Sequence, residues 1–310
     1  MNLIGTILLP HDGSELADST VPYAIALQRA TGASVELLRV LEELRPIYDR
    51  GGRQLIWIDP DQPRSEMTHS ELLDSPATQL AQHGITSKQI IRVGDPRQEI
   101  LKEAETLDQP LILLASHGRG GLSRVVFGSV AAGVLRAARG PVMIVRARNA
   151  SDQMEQVAFE KLLVPLDGSK LSETVLPFAI ELARGTDARV QVVRVAETFR
   201  DEIPKNAPNL FASPSYKSML DRFEQMEQET NEYLTSISAR LAGEGIDVTT
   251  EALSGDPYRQ ILRLAERQPP DLIVMATHGR GGITRWFYGS VADHILTTTT
   301  LPVLLVRPAE

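Results

Sequence analysis

The sequence predicts an α/β protein made of two tandem doubly wound domains. Three observations carry that reading: the length, a long internal repeat, and the alternation of apolar strand-like runs with amphipathic helices. At 310 residues the chain is long enough for two domains, taking roughly 100–200 residues for each. Leu8-Leu9-Pro10-His11-Asp12-Gly13-Ser14 returns 155 residues later as Leu163-Val164-Pro165-Leu166-Asp167-Gly168-Ser169. Ser116-His117-Gly118-Arg119-Gly120-Gly121 returns 161 residues later as Thr277-His278-Gly279-Arg280-Gly281-Gly282, and ten of sixteen positions match between 116–131 and 277–292. Gly94-Asp95-Pro96 and Gly255-Asp256-Pro257 keep the offset of 161. Solenoid repeats run about 20–50 residues, so this unit is a whole domain. The expected domains are 1–148 and 157–310, joined by a polar, aperiodic linker near Asn149-Ala150-Ser151-Asp152-Gln153.

The elements follow in order. Ile4–His11 is an apolar run that ends in turn residues, a buried strand. Ser14 is placed to cap a helix over Glu15–Ala30, with Ala17, Val21, Ala24 and Ile25 on one face. Pro22 falls inside it, as Pro177 does in the second copy. Proline removes a helical hydrogen bond, so a kink is expected in both. Val35–Val40 is the next strand, followed by an irregular stretch over Leu41–Arg64 and a helix near Ser65–His83. Then come strand Ile85–Val93, helix Pro96–Leu107, strand Leu111–Ala115, helix Ser129–Arg139 and strand Val142–Arg146. The second copy repeats the order. Its longest helix, about Tyr216–Ala242, carries Leu220, Phe223, Met226, Tyr233, Ile237 and Leu241 at helical spacing. Near-continuous apolar strands alternating with helices indicate a parallel sheet covered on both faces.

Composition narrows the function. The chain is 42% hydrophobic and 23% charged, as expected of a globular protein with real cores. It has no cysteine, which excludes disulfides, thiol nucleophiles and Cys-ligated zinc. Lys and Arg total 32 against 40 Asp and Glu, a net charge of −8. Nucleic-acid binding draws on basic patches, so no nucleic-acid partner is expected. No apolar stretch approaches the roughly 20 residues of a membrane span, and the first residues lack the basic region and cleavage site of a signal peptide. A cytoplasmic protein with no membrane partner is expected.

Ligands of open parallel sheets bind beyond the carboxyl ends of the strands. The polar motifs fall there: Asp12 and Asp167 after the first strand of each copy, Val40 and Val195 after the second, and the glycine-rich turns after the fourth. No Walker A or GxGxxG motif is present. Instead each turn is followed by nine residues, Arg119–Phe127 or Arg280–Tyr288, and then Gly128-Ser129 or Gly289-Ser290 opening a helix. Glycines allow close backbone approach, successive N–H groups form an anion nest, and the helix dipole adds to the attraction. Arg119, Arg124, Arg280 and Arg285 are available to screen a triphosphate. Each feature has a plainer reading. Ser129 can be only a helix cap, Asp12 and Asp167 can merely organise Asp-Gly-Ser turns, and His117 and His278 read as turn or packing residues.

Taken together, Pro10-His11-Asp12-Gly13-Ser14, Gly94-Asp95-Pro96, Ser116-His117-Gly118-Arg119-Gly120-Gly121, Gly128-Ser129 and their second copies resemble the universal stress protein family, over essentially the whole chain. The resemblance implies a five-stranded parallel sheet of order 3-2-1-4-5 in each half. It also implies an ATP site with the pattern G-x2-G-x9-G-[ST] after the fourth strand. On that pattern the second glycine is Gly118 or Gly279, the third Gly128 or Gly289, and the hydroxyl Ser129 or Ser290. The first glycine falls on Ala115 and Ala276. The resemblance places Asp12 and Asp167 near ribose or phosphate-bound Mg, and the backbone of Val40 and Val195 at the adenine edge. It further implies that last strands pair across a dimer. In this chain strands 142–145 and 303–306 would form an intramolecular pseudo-dimer, with a further homodimer possible. The expected function is a stress-response protein that binds ATP as a regulatory ligand and is not an enzyme. The alternatives are a nucleotide-free interaction module of the same fold, and a weak ATPase.

Overall fold

The computed structural model describes residues 2–41, 47–48, 54–55, 71–116, 128–146, 157–196, 214–277 and 289–307. In the first half the strands are β1 (Thr6–Pro10), β2 (Ser34–Leu41), β5 (Ser87–Val93), β6 (Pro110–Ser116) and β7 (Val142–Arg146). In the second they are β8 (Lys161–Pro165), β9 (Arg189–Ala196), β10 (Val248–Ser254), β11 (Leu272–Ala276) and β12 (Val303–Val306). All ten form one sheet in the order β10-β9-β8-β11-β12-β7-β6-β1-β2-β5. Each half is therefore a parallel sheet of order 3-2-1-4-5.

The join is the one antiparallel pairing in that sheet. β7 and β12 meet with Val303 opposite Ile144, Leu304 opposite Met143 and Leu305 opposite Val142. Leu304 and Met143 are fully buried. Left unpaired, these would be exposed apolar edges and aggregation hazards. Burying a side chain of this size contributes about 1.5–3 kcal/mol.

Strand alternation sorts the side chains into two layers. Ile7, Leu9, Met143, Leu162, Val164 and Leu304 face one layer, where they meet helices α2 (Val21–Thr31), α3 (Glu71–Gln82), α6 (Leu176–Thr186) and α7 (Pro214–Gly243). Leu8, Ile112, Ile144, Leu163 and Leu305 face the other, against α4 (Pro96–Thr106), α5 (Ser129–Ala137), α8 (Pro257–Arg267) and α9 (Ser290–Thr298). Each layer is a single core that runs through both halves.

Two local expectations are corrected. The first helix is not one kinked helix: α1 (Glu15–Asp18) stops, and α2 restarts at Val21 with Pro22 in its first turn. In the second half a 3-10 turn, Ser172–Val175, precedes α6, and Pro177 again sits in the first turn. Proline is tolerated there because the first turn needs no donated N–H. The stretch after β2, expected to be irregular, contains a two-residue pair, β3 (Ile47–Tyr48) with β4 (Gln54–Leu55). As expected, Ser14 caps α1, its Oγ accepting from Ala17 N at 3.2 Å.

The halves also meet through α2 and α6, which cross at Ala30 and Gly185, equivalent positions of the repeat. A Cβ on Gly185 would collide with the Ala30 carbonyl oxygen. Nearby, Glu181 accepts hydrogen bonds from Leu3 N at 2.8 Å and Ile4 N at 3.4 Å, which ties the amino-terminal segment to the second half. Gly185→Val should cost about 1–3 kcal/mol, as overpacking does, read as a lowered urea midpoint. Gly243→Ala, where an added Cβ meets nothing within 4 Å, should be neutral or stabilise by up to about 1 kcal/mol.

Candidate functional site

In each half the parallel strands end together at one edge of the sheet, and the order reverses beside β1 or β8, the place where open α/β sheets carry a ligand crevice. In the first half β1 ends at Pro10 while β2 continues to Leu41. His11 N donates to Leu38 O at 2.8 Å on the β1 side, and Gly94 N donates to Leu41 O at 2.9 Å on the β5 side. Alternate residues of a parallel strand turn their N–H and C=O to alternate neighbours. Val40 therefore turns both groups toward the side that β1 has left. The second half repeats this: Leu166 N donates to Val193 O at 2.8 Å and Gly255 N to Ala196 O at 2.9 Å, so Val195 presents its backbone beyond β8.

Asp12 and Asp167 organise the turns at the crevice floor. Asp12 Oδ1 accepts from Ser14 N at 3.0 Å and from Ser14 Oγ at 2.5 Å. Asp167 Oδ1 accepts from Ser169 N at 2.8 Å. Burial pushes both carboxyls up, but the hydrogen bonds from Ser14, and from Ser169 and Ser172, outweigh it and hold them below the usual carboxylate range. Both are therefore ionised at neutral pH.

At the same edge of the sheet, α5 begins at Ser129 after Gly128, and α9 at Ser290 after Gly289. Both N-cap residues are glycines, so neither supplies a side-chain acceptor to its helix. The contrast with α4 and α8 is direct, because Asp95 there accepts from Gln98 N at 3.0 Å and Asp256 from Arg259 N at 3.4 Å. The first N–H groups of a helix lack intrahelical acceptors and carry the positive end of its dipole. Gly289 has φ 83°, a conformation that favours glycine, whereas Gly128 has φ −57°. Ala115 and Ala276 lie within β6 and β11, and the described non-glycine residues with positive φ are Gln109 and Asp187. The alanines thus sit in extended backbone that a methyl group suits. Gly118, Arg119, Gly279 and Arg280, with His117, His278, Arg124 and Arg285, lie outside the described residues.

Three features of the crevice were not singled out from sequence. Ser116 ends β6 and Thr277 follows β11; both are 1% exposed, and neither hydroxyl has a hydrogen-bond partner among the described residues. By alternation they face the layer that holds α5 and α9. Arg39 and Arg194, one residue before the two valines, face the opposite layer. Arg194 lies over the Tyr233 ring at 4.8 Å, and a Cβ on Gly168 would stand 2.9 Å from its Cζ. Tyr233 donates to Glu173 at 3.1 Å, and Arg240 pairs with Glu173 at 2.8 Å. Burial and the Glu173 carboxylate push the Tyr233 hydroxyl up, so it remains a donor. His11 is buried, accepts from Gly13 N at 3.1 Å through Nδ1, and holds Nε2 3.2 Å from Asp18. Burial pushes its imidazole below its ordinary value, against the pull of Asp18 and Asp12. The second copy carries Leu166 at this position. The repeated arginines before Val40 and Val195 were the signal available in the sequence.

Among the described residues no group of three or more His, Asp or Glu is placed to hold a metal. No helix among them is long and apolar enough to cross a membrane.

Comparison with known proteins gives a consistent result. The model of the universal stress protein family matches residues 4–146 and again 158–307. A universal stress protein of Mycolicibacterium smegmatis is 25% identical over 310 residues, covering 97% of each chain. One from Methanocaldococcus jannaschii is 31% identical over 149 residues, 48% of this chain and 82% of that protein. The crystal structure of a universal stress protein from Archaeoglobus fulgidus superposes with a TM-score of 0.70 at 23% identity, covering 97% and 98% of the two chains. The chain belongs to the universal stress protein family, with two such domains in tandem.

Proposed function

We propose that each crevice binds an adenine nucleotide, ATP with its Mg, as a regulatory ligand rather than a substrate. The observation that carries this reading is the pair of helices that start on a glycine N-cap, which offers their first N–H groups no side-chain acceptor, in halves whose second strand turns its backbone outward at Val40 or Val195. The helix ends suit phosphate, and the paired N–H and C=O of a valine suit the hydrogen-bonding edge of a base. Ser129 and Ser290 would contact phosphate through hydroxyl and N–H, with Gly118, Arg119, Gly279 and Arg280 closing over it. One carboxylate per crevice, Asp12 or Asp167, fits a Mg ion carried in on the nucleotide, since Mg is commonly held by one or two carboxylates together with substrate phosphates. Mg would supply charge neutralisation of the phosphates.

Equilibrium dialysis of freshly purified protein with ATP should give about two sites per chain at sub-millimolar dissociation constants. Gly128→Asp and Gly289→Asp should each remove one site, by placing a carboxylate where the helix end receives phosphate, while circular dichroism stays unchanged. Absence of binding at millimolar ATP in the unaltered protein would overturn the reading.

Asp12→Asn together with Asp167→Asn should cut the gain in ATP affinity that Mg provides, by about tenfold, the size expected of a lost charged contact. Because both carboxyls lie below the usual range, this contribution should persist through mildly acidic pH. It should be lost only as pH falls through the lowered values. A Mg effect that disappears already between pH 7 and 5 would contradict the assignment.

A further inference from the structure

The far ends of the two Gly-Ser helices are held by the opposite half of the molecule. Arg146 ends β7 in the first half, and its Nη2 donates to the carbonyl of Leu296 in the last turn of α9, in the second half. Arg307 follows β12, and its guanidinium donates to Leu135 O and, at 3.1 Å, to Arg136 O in the last turn of α5, in the first half. Arg146 and Arg307 are 161 positions apart, the offset of the fourth-strand motif. The exchange is therefore a property of the repeat and is made twice. It is enforced by the seam: antiparallel pairing of β7 with β12 sends the end of each strand past the start of the other, and so under the helix that precedes it.

The carbonyls involved are ones that a helix cannot satisfy itself. In α5 the Ala138 amide takes Val134 O, and in α9 the Thr299 amide takes Ile295 O. Leu135, Arg136 and Leu296 carbonyls lie beyond those bonds, where orphan acceptors and the negative end of the dipole coincide. Arg146 is buried at 5% exposure, so its charge acts with little screening. α9 has no basic residue of its own in its last turn, whereas α5 has Arg136. Six or seven residues separate these carbonyls from Ser129 and Ser290, roughly 10 Å at about 1.5 Å per residue.

We propose that Arg146 and Arg307 are positioning residues for the crevice of the opposite half. Each fixes the carboxyl end of the other half's Gly-Ser helix, so that its amino end stays aimed at an anionic ligand. The inference rests on the nucleotide reading for what the helix is aimed at, but not for the crossed contacts themselves. Linkage makes the effect reciprocal: a ligand that orders α9 favours the docked state of Arg146.

The test uses the full chain and two readouts. Hydrogen exchange is followed in Arg146→Gln and Arg307→Gln without ligand. Arg146→Gln should speed exchange in 290–299 and leave 129–138 unchanged. Arg307→Gln should do the reverse, and the lysine variants should fall between. Faster exchange in both helices in either variant would mean only a loosened seam and would overturn the proposal. The second readout is ATP affinity, with one crevice disabled by Gly128→Asp or Gly289→Asp. Arg146→Gln should weaken the second crevice by about two- to fivefold, the scale of a charge at a helix terminus, and leave the first unaltered. Equal losses in both crevices, or loss in the first alone, would also overturn it. If neither background binds ATP, the nucleotide reading fails by itself, and hydrogen exchange still decides whether the helices are held across the seam.

Discussion

Where β7 and β12 lie side by side, two five-stranded sheets become one, and most of the remaining organisation depends on that pairing. A last strand in a doubly wound domain is an edge, with one row of backbone groups unpaired. Here each edge is the partner of the other, and the two side-chain layers continue across without a break. The direction of pairing matters as much as its existence. Because the strands run antiparallel, each half hands the arginine at the end of its last strand to a helix of the other, and the approximate twofold brings Ala30 against Gly185 on the opposite face. A parallel join would have placed both arginines at the same end.

The two halves are similar without being equivalent. His11, buried beside Asp18, faces Leu166 as its counterpart. At the amino ends of the strands, Glu36 pairs with Lys88 at 2.9 Å, while the equivalent Gln191 donates to Glu251 and Gln268, each at 3.2 Å. α7 runs for thirty residues, whereas α3 has twelve among the described residues, and α7 brings Tyr233 and Arg240 to the Arg194 side of the second crevice. Gly289 needs its positive φ and Gly128 does not. These differences give the crevices unlike surroundings around a shared backbone plan.

Much of this was legible in the sequence, for local reasons. Apolar strand runs, the Ser14 cap and the 155- and 161-residue offsets are short-range signals, and they delivered the element order and the two-domain repeat. The proline error is instructive. Pro22 and Pro177 were read against a single long helix, but proline at the start of a new helix costs little, so the chain breaks just before each one instead of bending. At the crevice, the turn residues Asp12 and Asp167 and the Gly-Ser helix starts were visible as motifs. The Ser116 and Thr277 hydroxyls, unpaired among the described residues, and the stacking of Arg194 on Tyr233, were not. A hydroxyl's lack of partners and an arginine's aromatic platform depend on residues tens of positions away. The crossed arginines are further still from any local pattern, since Arg146 and Leu296 are 150 residues apart in the chain.

If the shared sheet and exchanged arginines bind the halves as tightly as this arrangement implies, the molecule unfolds as one unit rather than as two domains in series. Differential scanning calorimetry of the full chain tests this most directly, through the ratio of calorimetric to van't Hoff enthalpy, which equals one for a single cooperative unit. The account predicts a ratio near one and a single transition. A ratio near two, or two resolved transitions, would show halves that merely touch, and would contradict it.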